Sequence, residues 1–178
     1  MSRIRLRWVV VNFGIAFLIT RQYRFDMVRR DIQDELFECS REYPVLCITG
    51  PRQSGKTTLA RKAFPKHRYV SFEDPIRRGY FIEDPHGFLD AHRDGAVFDE
   101  VQHVPDLFSH LQGMVDEDPA PGRFVLTGSQ HFGMTEHITQ SLAGRSAVLE
   151  LLPFSISELR RGRFLAEDLN SMMRNGCY

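Results

Sequence analysis

Residues 44–58 read PVLCITGPRQSGKTT. The first half runs through the β-branched and aliphatic residues Val45, Leu46, Cys47 and Ile48, a composition suited to a short strand covered on both faces. The second half opens KTTLARKAF, which reads as a helix over 56–64 that stops before Pro65. Between them Gly50, Gly55, Lys56 and Thr57 satisfy the spacing Gly-x-x-x-x-Gly-Lys-Ser/Thr, and the motif carries meaning only in this strand-to-helix setting.

The residue types follow from the chemistry of a polyphosphate. Glycines let the backbone curl until successive N–H groups point at one centre, and the positive end of the following helix adds to the attraction. The candidate nucleotide-binding stretch is Gly50, Pro51, Arg52, Gln53, Ser54, Gly55, Lys56, Thr57 and Thr58, although Thr58 also suits an ordinary helix position. Lys56 is expected to reach the β- and γ-phosphates of ATP, and the Thr57 hydroxyl to ligate Mg²⁺. The bland competitor is a glycine-rich turn with a solvated lysine.

A second apolar run, Ala96 to Phe98, ends in Asp99 and Glu100, two carboxylates at the carboxyl end of a predicted strand, where α/β sheets bind ligands. Asp99 suits a magnesium ligand that acts from behind the inner ligands or through water, and Glu100 suits the base that orients an attacking water. Neighbours on a strand face opposite ways, so the pair can divide the roles. A third run, Phe124 to Leu126, ends in TGSQ, where Thr127, Ser129 and Gln130 supply small polar groups. Ser129 reads equally as a γ-phosphate sensor and as the cap of the next helix.

Strands expected at 44–49, 68–72, 95–99, 122–127 and 146–151 alternate with helical segments at 56–64, 75–92, 105–116 and 132–142. That alternation specifies an α/β phosphate-loop NTPase fold, a doubly wound parallel sheet of five strands with helices on both faces. The carboxylate strand comes third. This order suits ATPases that insert another strand between the phosphate-loop strand and the carboxylate strand.

The successive stretches GPRQSGKTTL, SFEDPIRRGYFIEDPHGFL, VFDEVQHVPDLFSHLQGMVDE, FVLTGSQHF and SLAGRSAVLELLPFSISEL resemble the motifs of a family of prokaryotic AAA-type ATP-binding proteins. That family carries a carboxy-terminal domain of unknown function after the ATPase core. The resemblance runs from about Met27 to Leu159 and implies an ATP-dependent ATPase, able to form a homo-oligomer, with an unidentified protein partner. It also draws Arg145 into the nucleotide machinery, as a sensor or as a finger reaching a neighbouring site, against the plain reading of a strand-edge residue. The expected organisation is an extension over 1–26, an ATP-binding domain over 27–160 and a short tail over 161–178 that reads as the truncated remnant of a carboxy-terminal region, with a stand-alone nucleotide module the alternative.

The extension holds an apolar stretch, Trp8 to Thr20, between arginines. It is shorter than the roughly 20 residues a spanning helix needs and contains Asn12 and Gly14. It reads as translation from a start upstream of Met27, with membrane contact by residues 8–20 the alternative.

Net charge is zero, but residues 1–30 hold seven Arg and one Asp, which leaves 16 basic and 22 acidic residues in 31–178. The core therefore shows no basic surplus that would indicate nucleic acid. Cys39, Cys47 and Cys177 have no metal or redox spacing, in keeping with a reducing cytoplasm. The reading that follows is Mg²⁺-dependent ATP hydrolysis. A module that binds ATP without efficient turnover is the alternative, and a small-molecule kinase a weaker one.

Overall fold

The computed structural model describes residues 28–129, 138 and 140–162. Gln130, most of the helix expected over 132–142, the 1–26 extension and the end of the tail lie outside them.

The chain begins with α1 (Gln33–Glu42) and continues through β1 (Val45–Thr49), α2 (Lys56–Ala63), β2 (Arg68–Ser71), α3 (Pro75–Glu83) and α4 (Pro85–Asp90). Then follow β3 (Ala96–Asp99), a 3₁₀ turn (Val101–His103), α5 (Leu107–Glu117), β4 (Phe124–Thr127), β5 (Ser146–Glu150) and α6 (Ile156–Arg161). The five strands form one parallel sheet in the order β2-β3-β4-β1-β5. Thus β4 is inserted between the phosphate-loop strand β1 and the carboxylate strand β3, with Val45 beside Phe124 and Ala96 beside the same Phe124.

Alternation along the strands divides the interior in two. Val45, Cys47, Ala96, Phe98, Phe124 and Leu126 face one side, where Phe81 of α3, Leu89 of α4 and Leu107, Phe108 and Leu111 of α5 pack on them. Leu46, Ile48, Val97 and Val125 face the other, under Leu36 of α1 and Leu59 and Ala60 of α2. Both faces are covered, so the strands need uninterrupted apolar runs rather than alternating ones. Cys47 is fully buried in β1, and burial pushes its thiol up to about 12.

The helical segments expected over 75–92 are two helices, α3 and α4. Each opens on an Asp-Pro pair: the Asp74 carboxylate accepts from the Ile76 N–H at 2.9 Å, and that of Asp84 from the Gly87 N–H at 2.9 Å. Proline suits the first helical turn and caps the entry, so Pro85 starts a new helix instead of continuing α3. Helix α1 is absent from the expected order, yet its signal is in the sequence. Ile32, Leu36, Cys39 and Tyr43 recur at helical spacing and line the side that packs on the second core.

At the exit of β1 the backbone passes close against another segment. Gly50 adopts φ +140, and a Cβ there would lie 2.2 Å from the Leu151 carbonyl oxygen in the segment that follows β5. Gly113 is the contrast, an exposed position in α5 with open space around it. Gly50→Ala is expected to cost about 2 kcal/mol or more from strain and displacement of Leu151. Gly113→Ala should add about 0.5–1 kcal/mol by favouring helix. Urea denaturation of the two variants against the parent checks both signs.

Candidate nucleotide site

The phosphate loop spans the gap between β1 and α2. Gly50, Gln53 (φ 64) and Gly55 (φ 93) take positive φ, and Gln53 is a non-glycine residue held in that region. Gly55 occupies the N-cap position of α2, so the loop runs directly into the positive end of a helix. Lys56 is buried, and its Nζ donates to the carbonyl oxygens of Gly50 at 3.0 Å and Pro51 at 2.7 Å. Burial lowers its pKa, while the carboxylates of Glu100 and Asp99 act in the opposite direction.

At the second residue of α2, the Thr57 hydroxyl donates to Asp99 Oδ1 at 2.9 Å. The Thr127 hydroxyl, from the end of the inserted strand, donates to the same oxygen. On the other side the Tyr69 hydroxyl of β2 donates to Asp99 Oδ2 at 2.8 Å. Asp99 is therefore a buried carboxylate held by three hydroxyls from three elements. Glu100 leaves the strand in the left-handed region, φ 57 and ψ 46, a conformation unusual for glutamate and a known mark of functional strain. The Gln102 side-chain amide donates to its carboxylate.

Ser129, one residue beyond the Gly128 that follows β4, is buried, and its hydroxyl has no hydrogen-bond partner among the described residues. The buried Ser54 hydroxyl in the loop is in the same position. Unsatisfied buried hydroxyls are rare; Ser129 lies just past the end of β4, and Ser54 in the loop that follows the adjacent β1. The donor set also fits magnesium: a hydroxyl and a carboxylate within hydrogen-bond distance are hard oxygen ligands, and Mg²⁺ takes few protein ligands beside phosphate and water.

Arg145 lies elsewhere. Its carbonyl accepts from the Val45 N–H, which puts it at the amino end of β5, on the sheet edge opposite the loop. The five residues of β1 separate the two edges by about 16 Å. Its guanidinium pairs with the Asp116 carboxylate, Nη2 to Oδ2 being 2.9 Å. Parallel strands send their two ends to opposite edges, so Arg145 stands on the edge away from the loop of its own chain. Thr58 is half-buried on α2 beyond the loop.

Two participants escaped the sequence reading. Tyr69 carried no signal, since its partner Asp99 lies on a strand brought alongside only by the sheet. Arg30 is buried against the loop, with Nη1 donating to the Ser54 carbonyl at 2.8 Å.

A parallel sheet with this order and a glycine-rich loop leading into a helix define a phosphate-loop nucleotide-binding fold. A family model described as AAA domain matches residues 42–160. The chain belongs to that family. It is 34% identical over 134 residues to the uncharacterized protein Rv2008c of Mycobacterium tuberculosis, and equally to Mb2031c of Mycobacterium bovis. Each match covers 74% of this chain, which spans 30% of the length of those relatives. Among solved structures, a Walker-type ATPase of Pyrococcus abyssi aligns with a TM-score of 0.56 at 16% identity, covering 85% of this chain and 63% of that one. The likeness is one of fold.

The Tyr69 hydroxyl is tested through its own titration. Burial, then the hydrogen bond to Asp99 and its charge, raise the phenol to about 12, above the usual value near 10. A raised folded-state value means the stabilisation is complete below pH ~10 and disappears as pH rises towards 12. Tyr69→Phe is expected to lose about 1 kcal/mol at neutral pH, a modest figure because the ring is partly solvated. In urea denaturation the parent and variant should converge between about pH 10 and 12.

Proposed function

We propose that the chain binds ATP together with Mg²⁺ and transfers the γ-phosphate to water. The observation that supports this most directly is the Thr57 hydroxyl 2.9 Å from Asp99 Oδ1. It joins the loop to the carboxylate strand across an inserted β4, which is the arrangement a magnesium-nucleotide site requires.

In this reading the loop N–H groups and the α2 amino terminus receive the phosphates. Lys56 exchanges its carbonyl partners for the β- and γ-phosphate oxygens, where its charge counters theirs. Thr57 and Asp99 would hold the metal, with Tyr69 and Thr127 fixing the carboxylate's orientation. Bound magnesium would neutralise charge developing on the phosphate oxygens. Glu100 orients the attacking water, and its left-handed backbone turns the carboxylate away from the strand's ordinary alternation. The Ser129 hydroxyl, buried and without a partner among the described residues, is available to the γ-phosphate or to that water.

The two roles separate experimentally. Lys56→Ala should weaken binding of ATP, whereas Glu100→Gln should preserve binding and lower phosphate release by at least about 100-fold. Phosphate release is measured with no added acceptor. Parental hydrolysis rates in both variants would sink the proposal. Binding by the parent without release would favour a nucleotide-gated module, and release that depends on an added acceptor a kinase.

Arg145 acts on nucleotide only from a second copy of the chain in this proposal, since it stands on the sheet edge away from its own loop. A finger supplied in trans couples rate to assembly. Specific activity should then rise with protein concentration, and mixing Arg145→Ala with Lys56→Ala should recover activity that neither has alone. Activity independent of concentration, with no recovery on mixing, leaves Arg145 as the partner of Asp116 and nothing more.

A further inference from the structure

Arg30 lies twelve residues before the span matched by the family model, yet its side chain is buried and makes three hydrogen bonds. The guanidinium serves three segments at once. Nε donates to Glu158 Oε1 at 3.0 Å, Nη1 to the Ser54 carbonyl at 2.8 Å, and Nη2 to the Leu152 carbonyl at 2.5 Å. Its flat face lies 4.3 Å from the centre of the Phe154 ring. The Arg30 and Glu158 side chains are only 8% and 4% exposed, so the pair is shielded from solvent.

The Ser54 contact has a stereochemical consequence. In a trans peptide the C=O and the next N–H point in opposite directions. Pinning the Ser54 carbonyl towards Arg30 therefore turns the Gly55 N–H away from Arg30. Gly55 sits close above the guanidinium, where an added Cβ would be 3.6 Å from Nη1. The conformation at φ +93 that the loop needs at Gly55 is thus supported from beneath by a charge.

The support itself depends on the end of the described chain. Glu158 also accepts the Asp31 N–H at 2.7 Å and, through Oε2, the Ser155 N–H at 2.8 Å, closing a capping box at the start of α6. Asp31 receives the hydroxyls of Ser155 at 3.2 Å and Ser157 at 3.3 Å, and pairs with Arg161. Residues 29–31 and 152–161 are therefore clasped together, with one arginine passing through the clasp to the phosphate loop.

We propose that Arg30 is a positioning residue of the phosphate loop, and that nucleotide affinity depends through it on the docking of residues 152–161. The proposal rests on the loop binding nucleotide, as argued above. It adds that the segment after β5 regulates the site. Coupling of this kind is reciprocal: whatever strengthens the loop's grip on phosphate also tightens the clasp, and release of α6 loosens the loop.

The test uses the full chain and a fluorescent ADP, with binding followed by anisotropy. Parental binding that is lost in Lys56→Ala establishes the nucleotide reading; absence of parental binding overturns that reading and this proposal together. Removing Arg30 alone strands the Glu158 carboxylate in the interior, so the informative variant is Arg30→Met with Glu158→Gln, which removes both charges and keeps an acceptor for the Asp31 N–H. Thermal unfolding by circular dichroism reports whether it folds. The expected result is a folded double variant with affinity at least about tenfold weaker, a typical coupling between sites. Faster amide exchange over residues 50–56 without nucleotide should accompany it.

Affinity within twofold of the parent in the folded double variant would overturn the positioning role while leaving the nucleotide reading intact. If the double variant does not fold, Arg30→Lys carries the comparison, because one ammonium cannot reach three acceptors lying in different directions. Parental affinity and parental exchange over 50–56 in Arg30→Lys would then overturn the proposal. In the parent, ADP should slow exchange over 156–161, and unchanged exchange there would refute the coupling.

Discussion

A carboxylate taken out of water must find donors for its oxygens, and Asp99 finds three hydroxyls. They arrive from α2, from β2 and from the end of β4, so the demand of one buried charge ties the phosphate loop, an edge strand and the inserted strand to the end of β3. The parallel register makes this possible. Ser71 pairs with Asp99, and Phe98 with Leu126, so Thr127 is the next residue at the neighbouring strand end. A shift of one residue would turn Asp99 to the opposite face and leave it among apolar side chains. Packing, register and site are in that sense one constraint.

The same edge carries a second constraint, of space rather than charge. Gly50 passes so close to the Leu151 carbonyl that no side chain fits, and Leu151 is itself fastened to β1 by its N–H on the Thr49 carbonyl at 2.8 Å. The chain after β5 therefore lies against the base of the loop. Arg30 closes the arrangement from the other side, bonding the Ser54 and Leu152 carbonyls with adjacent nitrogens. A loop built of glycines for its curvature has little stiffness of its own. Its shape here is imposed by neighbours distant in sequence.

Beneath the sheet, rings supply the rigidity that short strands lack. Phe72, Phe81, Phe88, Phe98 and Phe124 form a connected group with neighbouring centroids 5.6 to 6.0 Å apart, in stacked, tilted and edge-on pairs. Strands β2, β3 and β4 have four residues each, and these rings bridge their ends to α3 and α4. The cluster backs the carboxylate end of β3 through Phe98, the residue before Asp99, so the site rests on a well-packed floor.

Much of this was legible in order and type. Uninterrupted runs such as VLCIT and FVLT announce strands covered on both faces, the glycine spacing before KTT announces a phosphate loop, and Asp-Glu after AVF announces the second half of a site. These are local signals, and local chemistry determines them. Helix α1 was legible too, through Ile32, Leu36, Cys39 and Tyr43, but its period lay outside the motifs that drew attention. What only the tertiary structure decided is which strand ends stand side by side. Tyr69 and Asp99 are 30 residues apart, Arg30 and Glu158 are 128 apart, and no spacing rule links either pair. Arg145 shows the converse. Its motif invited a place at the nucleotide, and the direction of β5 put it on the far edge, because a strand's polarity in a sheet is set by its neighbours and not by its own residues.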